Sequence, residues 1–422
     1  MQPFGRSPAF QLGLLTLAAM AGAYTASAIS PLQESVRLTL GLSDNEIALL
    51  QGPALAIPML LAAFPLGLAI ARYSRVRLLL ILALFNVVGM VITAVAPGFS
   101  LLFAARCFIG LTSAATSTVT YALVADLYPP DQRGRSSMVL SVGLYVGVSA
   151  AFALGGLFAP AFGSGAGGWR LATLCQTVPL VLIVPVLLAM REPPRTDVVA
   201  QKPSARQMSV ELWRYRSIIA PLLIGSVMIQ VAIRAVLTWA APMLARSFLL
   251  PADRVGGIMA TVVLVGGVLG PILGGLLADL CQRTGGPKRT MSMLIGAALL
   301  CTPGCLFADL TQFGAASALL ALFAIVVGAI DVSCTVAYTI VIPHELLGMC
   351  IALLAGAQVL FAIGFAPMAV SLLSGVLGGP ATIGKALALV CVSSCVVAAT
   401  AFSFARGYLP RLRELHLEGV CQ

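Results

Sequence analysis

A chain of 422 residues with 59% hydrophobic residues, 9% charged residues and a mean hydropathy of +1.02 is excluded as a soluble domain, because soluble domains carry roughly a quarter charged residues. The net charge of +10 does not mark a nucleic-acid binder either, since the basic residues fall in alternate loops rather than in one patch. Apolar runs of about 17–25 residues, long enough to cross a bilayer, recur along the whole chain. Backbone polar groups in lipid must find partners within the protein, so these runs are predicted to be helices.

The first span is expected at about 10–31. Arg6 before it and Ala26-Ser27-Ala28 within it also fit a cleaved signal peptide. The apolar stretch is longer than the core of such a leader, and it is read as a retained helix. A short loop with Glu34, Arg37, Asp44 and Glu46 leads to the second span, about 46–70, which runs into Arg72, Arg75 and Arg77. The third span, about 78–96, is stopped by Pro97-Gly98. The fourth lies in the stretch Arg106–Arg135, which opens on an arginine, continues through Gly110, Thr112, Ser113, Ala114, Ala115 and Ser117, and exits at Asp126. Small residues of this kind let helices approach closely in a membrane. The fifth span, about 136–158, repeats the theme with Gly143, Gly147, Gly155 and Gly156, and the sixth covers about 170–190.

Residues 191–217 lose the apolar pattern and are predicted to form a cytoplasmic linker. Six further spans follow at about 218–243, 255–278, 290–309, 315–342, 348–373 and 384–405, with a polar tail over 406–422. The expected fold is therefore all-α and membrane-embedded, with twelve helices in two six-helix bundles, 1–190 and 218–405. Related loops support a duplicated unit. Pro129-Pro130-Asp131-Gln132-Arg133-Gly134 after the fourth span is matched by Pro343-His344-Glu345-Leu346-Leu347-Gly348 after the tenth. The Gly67–Arg77 run after the second span has its counterpart in Gly275–Arg289 after the eighth.

With the amino terminus in the cytoplasm, 18 of the 25 Lys and Arg residues fall on that side; Arg37, Arg170, Arg246, Arg254 and Lys385 fall outside. This positive-inside bias places both termini in the cytoplasm and, for a bacterial-type chain, predicts an inner-membrane location. The ten cysteines include no CxxC pair and mostly lie in apolar helices, as do Cys301/Cys305 and Cys391/Cys395. They read as small hydrophobes, with no metal or cofactor expected.

In order along the chain, Leu42-Ser43-Asp44, Ala69–Arg77, Arg106 with Gly110, Asp126-Leu127-Tyr128-Pro129-Pro130, Gly168-Trp169-Arg170, Arg191-Glu192-Pro193-Pro194-Arg195 and Gly274–Asp279 resemble the major facilitator superfamily of transporters, and more closely its bacterial Spinster-like branch. The resemblance covers nearly the whole chain. It implies alternating access between two bundles, with a path lined by the first, fourth, seventh and tenth spans. The sequence also departs from the pattern. Ala71 and Ser74 replace an acidic residue and a glycine of the loop signature, and the Asp-Arg pair of the first span is absent around Tyr24-Thr25. Ser113 stands where the branch has a glutamate and Leu347 where it has an arginine. In the fifth span, Ala151 and Phe152 occupy the Gly-Pro of the antiporter signature.

Four charged residues lie in or at the ends of spans: Arg106, Arg234, Asp331 and Asp126. A charge facing lipid is penalised, so the in-span groups are expected to point inward. Arg106 and Arg234, one from each half, are candidates for gripping an anion, because a guanidinium forks onto a carboxylate or phosphate. The alternative for Arg106 is a tie between two helices. Asp331 is the candidate coupling group, since burial raises a carboxylate's proton affinity and a nearby cation lowers it; a permanent ion pair and a solvated carboxylate are the alternatives. Tyr24, Tyr145, Gln230 and Trp239 are candidate cavity residues. Asp126 with Arg133, and Asp279 with Arg283, are expected to form a latch at the cytoplasmic helix ends, where a simple topogenic role for the arginines is compatible.

These readings predict a secondary transporter for a small organic anion or an amphiphile, coupled to protons. Facilitated uniport and drug or metabolite efflux by antiport are the alternatives, and a membrane receptor or enzyme is a remote one. No phosphate-binding loop or zinc spacing is present. A monomer in the bilayer suffices for this function.

Overall fold

The computed structural model describes residues 7–129, 132–163, 167–194 and 211–420; most of the predicted linker, together with Pro130 and Asp131, lies outside them. The described residues contain helices and no strands. Among the described residues, eleven helices are long and apolar enough to cross a membrane. One of them, Ala252–Asp309, has 58 residues, or about 87 Å of helix at 1.5 Å per residue, against a hydrocarbon core of about 30 Å. It breaks at Gly286 (φ 63°, ψ −158°) and therefore supplies two crossings, bringing the total to the twelve predicted.

The amino-terminal helices are α1 (Pro8–Ser27), α2 (Gln33–Leu40), α3 (Asp44–Gln51), α4 (Pro53–Arg72), α5 (Arg75–Val95), α6 (Phe99–Leu127), α7 (Arg133–Ala161) and α8 (Gly168–Leu187). Local chemistry sets their ends. Ser43 caps α3 in a reciprocal capping box with Glu46, which gives the Leu42-Ser43-Asp44 motif a plain structural meaning. Pro53 cannot donate to the α3 ladder, so the second span is interrupted at Gly52. The helices group into one compact unit, Met1–Val198, which also takes in Thr238–Leu264. Here α1 packs along α6 and α7, while α6 packs on α4 and α5. Small residues set the spacing. A Cβ added to Gly110 on α6 would lie 2.6 Å from the Leu55 carbonyl of α4, so only glycine permits this approach.

The second unit comprises Val199–Leu237 and Val265–Gln422. It holds the first part of α9 (Arg216–Phe248), most of α10 (Ala252–Gly304), α11 (Phe313–Val341), α12 (His344–Ala357), α13 (Ala366–Leu377) and α14 (Ile383–Val420). A π-helical stretch, Gln358–Phe365, joins α12 to α13 within one span. Gly266, Gly270 and Gly274 line the face of α10 against Ala324–Ala329 of α11, where added side chains would meet backbone. The helix of α14 continues to Val420, past the end expected for the twelfth span.

Candidate functional site

Arg106 is 1% exposed on α6. Its Nη2 donates to the Ala26 carbonyl at 2.8 Å and to the Gln51 side chain at 3.1 Å, and its Nε donates to the Leu50 carbonyl at 3.3 Å. Ala26 belongs to the last turn of α1, where carbonyls lack intrahelical donors and a cation is favoured by the helix dipole. Leu50 and Gln51 sit at the break between α3 and α4. Gln51 passes the network on to Ser30 and Gln33 at 3.1 and 3.0 Å. The guanidinium thus ties α6 to the ends of two helices, α1 and α3.

Tyr24 is buried, and its hydroxyl donates to the Gln176 carbonyl of α8 at 2.8 Å. Trp239 is fully buried within the first unit, while Tyr145 is half-buried on α7. Gly168-Trp169-Arg170 also has a scaffold role, for Arg170 stacks 4.4 Å over Trp169 and donates to the Ala96 carbonyl at the end of α5.

The second unit holds a different arrangement. Gln230 and Arg234 are one turn apart on α9, and the Gln230 amide donates to Asp331 Oδ1 of α11 at 2.7 Å. Arg234 lies close enough to act electrostatically on the same carboxylate. All three are half-buried, in contrast to Arg106. One turn earlier on α9, Ser226 accepts from the Tyr338 hydroxyl at 3.3 Å. An amide, a cation and a carboxylate therefore share one membrane depth on the seventh and tenth spans, with part of their surface open. Such a set can bind a carboxylate or phosphate and can take up or release a proton.

The helix ends pair differently from the expectation. Asp126 forms its ion pair with Arg75 at the start of α5, and both side chains are less than 10% exposed. Arg133 instead caps α6, donating to the carbonyls of Tyr128 at 3.0 Å and Ala125 at 2.8 Å. Asp279 and Arg283 are both exposed, and no ion pair joins them among the described residues. Glu192, from the Arg191–Arg195 motif, reaches back over more than a hundred residues. It accepts from the Arg75 and Val76 amides at 2.8 and 2.9 Å and from the Ser74 hydroxyl at 2.6 Å. It thereby caps the positive end of α5.

A further cluster went unrecognised in the sequence. Arg246, near the end of α9, forks onto Asp44 with two bonds of 2.8 Å and also donates to Glu34 at 2.8 and 3.0 Å. Arg37 closes the group with a 2.6 Å bond to Glu34. Three of these residues were visible as loop charges, but their partner lies some two hundred positions away. Among the described residues, three buried thiols, Cys301, Cys305 and Cys395, could hold a metal.

The family model of the Major Facilitator Superfamily matches residues 12–367. The chain belongs to this superfamily. The fold of this superfamily member is similar to that of a bacterial homologue of the human lysosomal transporter Spinster, crystallised inward-facing and unoccupied, with a TM-score of 0.80 and 18% identity over 96% of this chain and 97% of that one. A D-xylose–proton symporter gives a TM-score of 0.72 at 19% identity, over 93% and 97% of the two chains. At such identities the likeness concerns the fold alone. Among curated relatives, a triacylglyceride transporter of Mycobacteroides abscessus is 32% identical over 46% of this chain and 39% of its own. Sugar transporter ERD6-like 6 of Arabidopsis thaliana is 26% identical over 41% of this chain and 33% of its own. The chain thus spans between a third and two fifths of the length of these relatives. Superfamily membership and the apolar helices together make this a multi-pass membrane protein.

Proposed function

We propose that this superfamily member is a secondary transporter that moves a small organic anion or an amphiphile by alternating access, with the proton as coupling ion. The observation that carries the reading is the Gln230–Asp331 hydrogen bond beside Arg234. An anion arriving at Arg234 competes with Asp331 for the cation, and protonation of Asp331 removes the competitor. Substrate and proton are then taken up together. A triacylglyceride transporter among the relatives supports the amphiphile reading, and a proton symporter of similar fold supports the coupling. Both termini are placed in the cytoplasm by the charge bias, and the membrane is read as the bacterial inner membrane.

In this scheme Arg106 organises the first unit, and Tyr24 and Trp239 hold it together. Tyr145 remains a candidate contact for the apolar part of the solute. The Arg75–Asp126 pair acts as a cytoplasmic latch within the first unit, with Arg133 as its neighbouring charge, while Asp279 and Arg283 are the gating candidates of the second unit. Arg246 with Glu34 and Asp44 acts as the latch at the other membrane face. Uniport is the second reading, favoured by the uncharged Tyr24-Thr25 region and by Ser113 at the branch's glutamate position.

The test uses purified protein in proteoliposomes, with a panel of carboxylates, phosphates and lysolipids scored by counterflow. The reading expects exchange of at least one anionic solute. It also expects Asp331→Asn to keep exchange while losing accumulation driven by a proton gradient. Unchanged uphill uptake in Asp331→Asn removes the coupling role, and no exchange across the panel removes the transporter reading.

A further inference from the structure

Two pairs of cysteines in the second unit are spaced four residues apart: Cys301 near the end of α10 with Cys305 at the start of the 3-10 turn that follows it (Cys305–Asp309), and Cys391 with Cys395 on α14. All four are fully buried. The sulfur atoms of Cys301, Cys305 and Cys395 all lie within 4.8 Å of one another, and those of Cys305 and Cys395 are 3.8 Å apart. Metal–sulfur bonds of about 2.3 Å place two ligand sulfurs about 3.8–4.0 Å apart in tetrahedral or trigonal geometry. The Cys305–Cys395 distance already has that value, and the third sulfur needs to move by less than about an ångström. The Cys391 thiol neighbours that of Cys305 and lies 3.9 Å from the Ala232 carbonyl of α9, but it is not one of the three sulfurs that all lie within 4.8 Å of one another.

We propose that Cys301, Cys305 and Cys395 form a three-sulfur site for one monovalent copper ion, which would tie the ninth membrane crossing to the twelfth. Softness and coordination number select the ion. Sulfur ligands favour monovalent copper over the hard cations, and a set of three suits it without a fourth donor. The three sulfurs bind as thiolates, and the protons they lose on binding leave to solvent. The bare alternative is that the cysteines are small packing residues. Packing, however, requires no convergence of sulfurs from two helices, and Ala298 and Ala398, close by on the same helices, fill equally buried positions without sulfur.

The full-length protein, purified in detergent and kept reduced, is titrated with monovalent copper against a chromogenic copper(I) chelator. The expected result is one tightly held equivalent in the wild type and at least tenfold weaker retention in both Cys305→Ala and Cys395→Ala. Cys107→Ala and Cys175→Ala, at half-buried positions elsewhere, should retain the ion. The melting temperature should rise with copper in the wild type and in these two controls, and stay unchanged in the site variants. Silver(I), which cannot change oxidation state under these conditions, should reproduce the pattern. The proposal is overturned by failure of the wild type to hold copper against the chelator. Equal retention by Cys305→Ala and Cys395→Ala, or equal loss in the controls, also overturns it.

Discussion

Arg75 and Arg106 are both buried cations, and the protein neutralises them in different ways. Arg75 meets the Asp126 carboxylate, whereas Arg106 is held by carbonyl dipoles at helix ends and by one amide. The second arrangement depends on a planar group with several donors in fixed directions, which lysine lacks. Arg106→Lys is therefore expected to leave buried acceptors unpaired, at about 1–3 kcal/mol for each one lost. The melting temperature in detergent should fall while the affinity for a transported anion stays within about twofold of wild type, a change of roughly 0.4 kcal/mol. Anion binding weakened tenfold or more, with the melting temperature retained, would instead return Arg106 to the solute path. The inward position of Arg106 was legible from its place in an apolar run. Its acceptors were not, because Ala26 and Leu50 use backbone carbonyls that no side-chain pattern announces. Arg246 was hidden for a related reason, since it looked like an ordinary loop cation until Glu34 and Asp44 were brought to it.

Among the elements, α6 shows how small residues and one cation cooperate. Gly110 admits the α4 backbone, and Ser113 donates to the Gly22 carbonyl of α1 at 3.2 Å, so the helix is held on two sides. In a bilayer this close packing replaces the hydrophobic drive between helices. Gly110→Leu must push α4 away from its backbone contact, and overpacking of this kind costs about 1–3 kcal/mol or more. The variant should unfold at lower temperature and elute as aggregate in size-exclusion chromatography. A monodisperse variant with the wild-type melting temperature would show that the approach has slack. The small-residue run was legible in the sequence and so was its purpose, but the partner helix was not. Likewise the motif Arg191–Arg195 stood out as charged punctuation, while the use of Glu192 as the cap of α5 emerged only in the structure.

For the whole molecule, the charged groups near the two ends of the amino-terminal unit are the natural control points. Arg246 holds Glu34 and Asp44 together, and without it two carboxylates share one site with Arg37 alone. Arg246→Gln is expected to loosen this face. Amide hydrogen exchange by mass spectrometry should quicken over Gln33–Gln51, with little change in α5 or α8. Unchanged exchange over that stretch would mean that the cluster contributes nothing to closure there. The prediction follows from charge repulsion, so added salt should reduce the difference between variant and wild type.

The sequence alone determined that the chain crosses the membrane twelve times as helices, because lipid offers backbone groups no partner outside the chain. The duplicated loops and ordered motifs also carried the superfamily. What tertiary structure decided is the pairing of charges. Asp126 takes Arg75 rather than Arg133, and Asp44 takes Arg246. For Asp126, proximity along the chain argued for Arg133. Ion pairs form between helix ends that packing brings together, and that packing is set by steric fit between small-residue faces, which a linear pattern of charges does not encode.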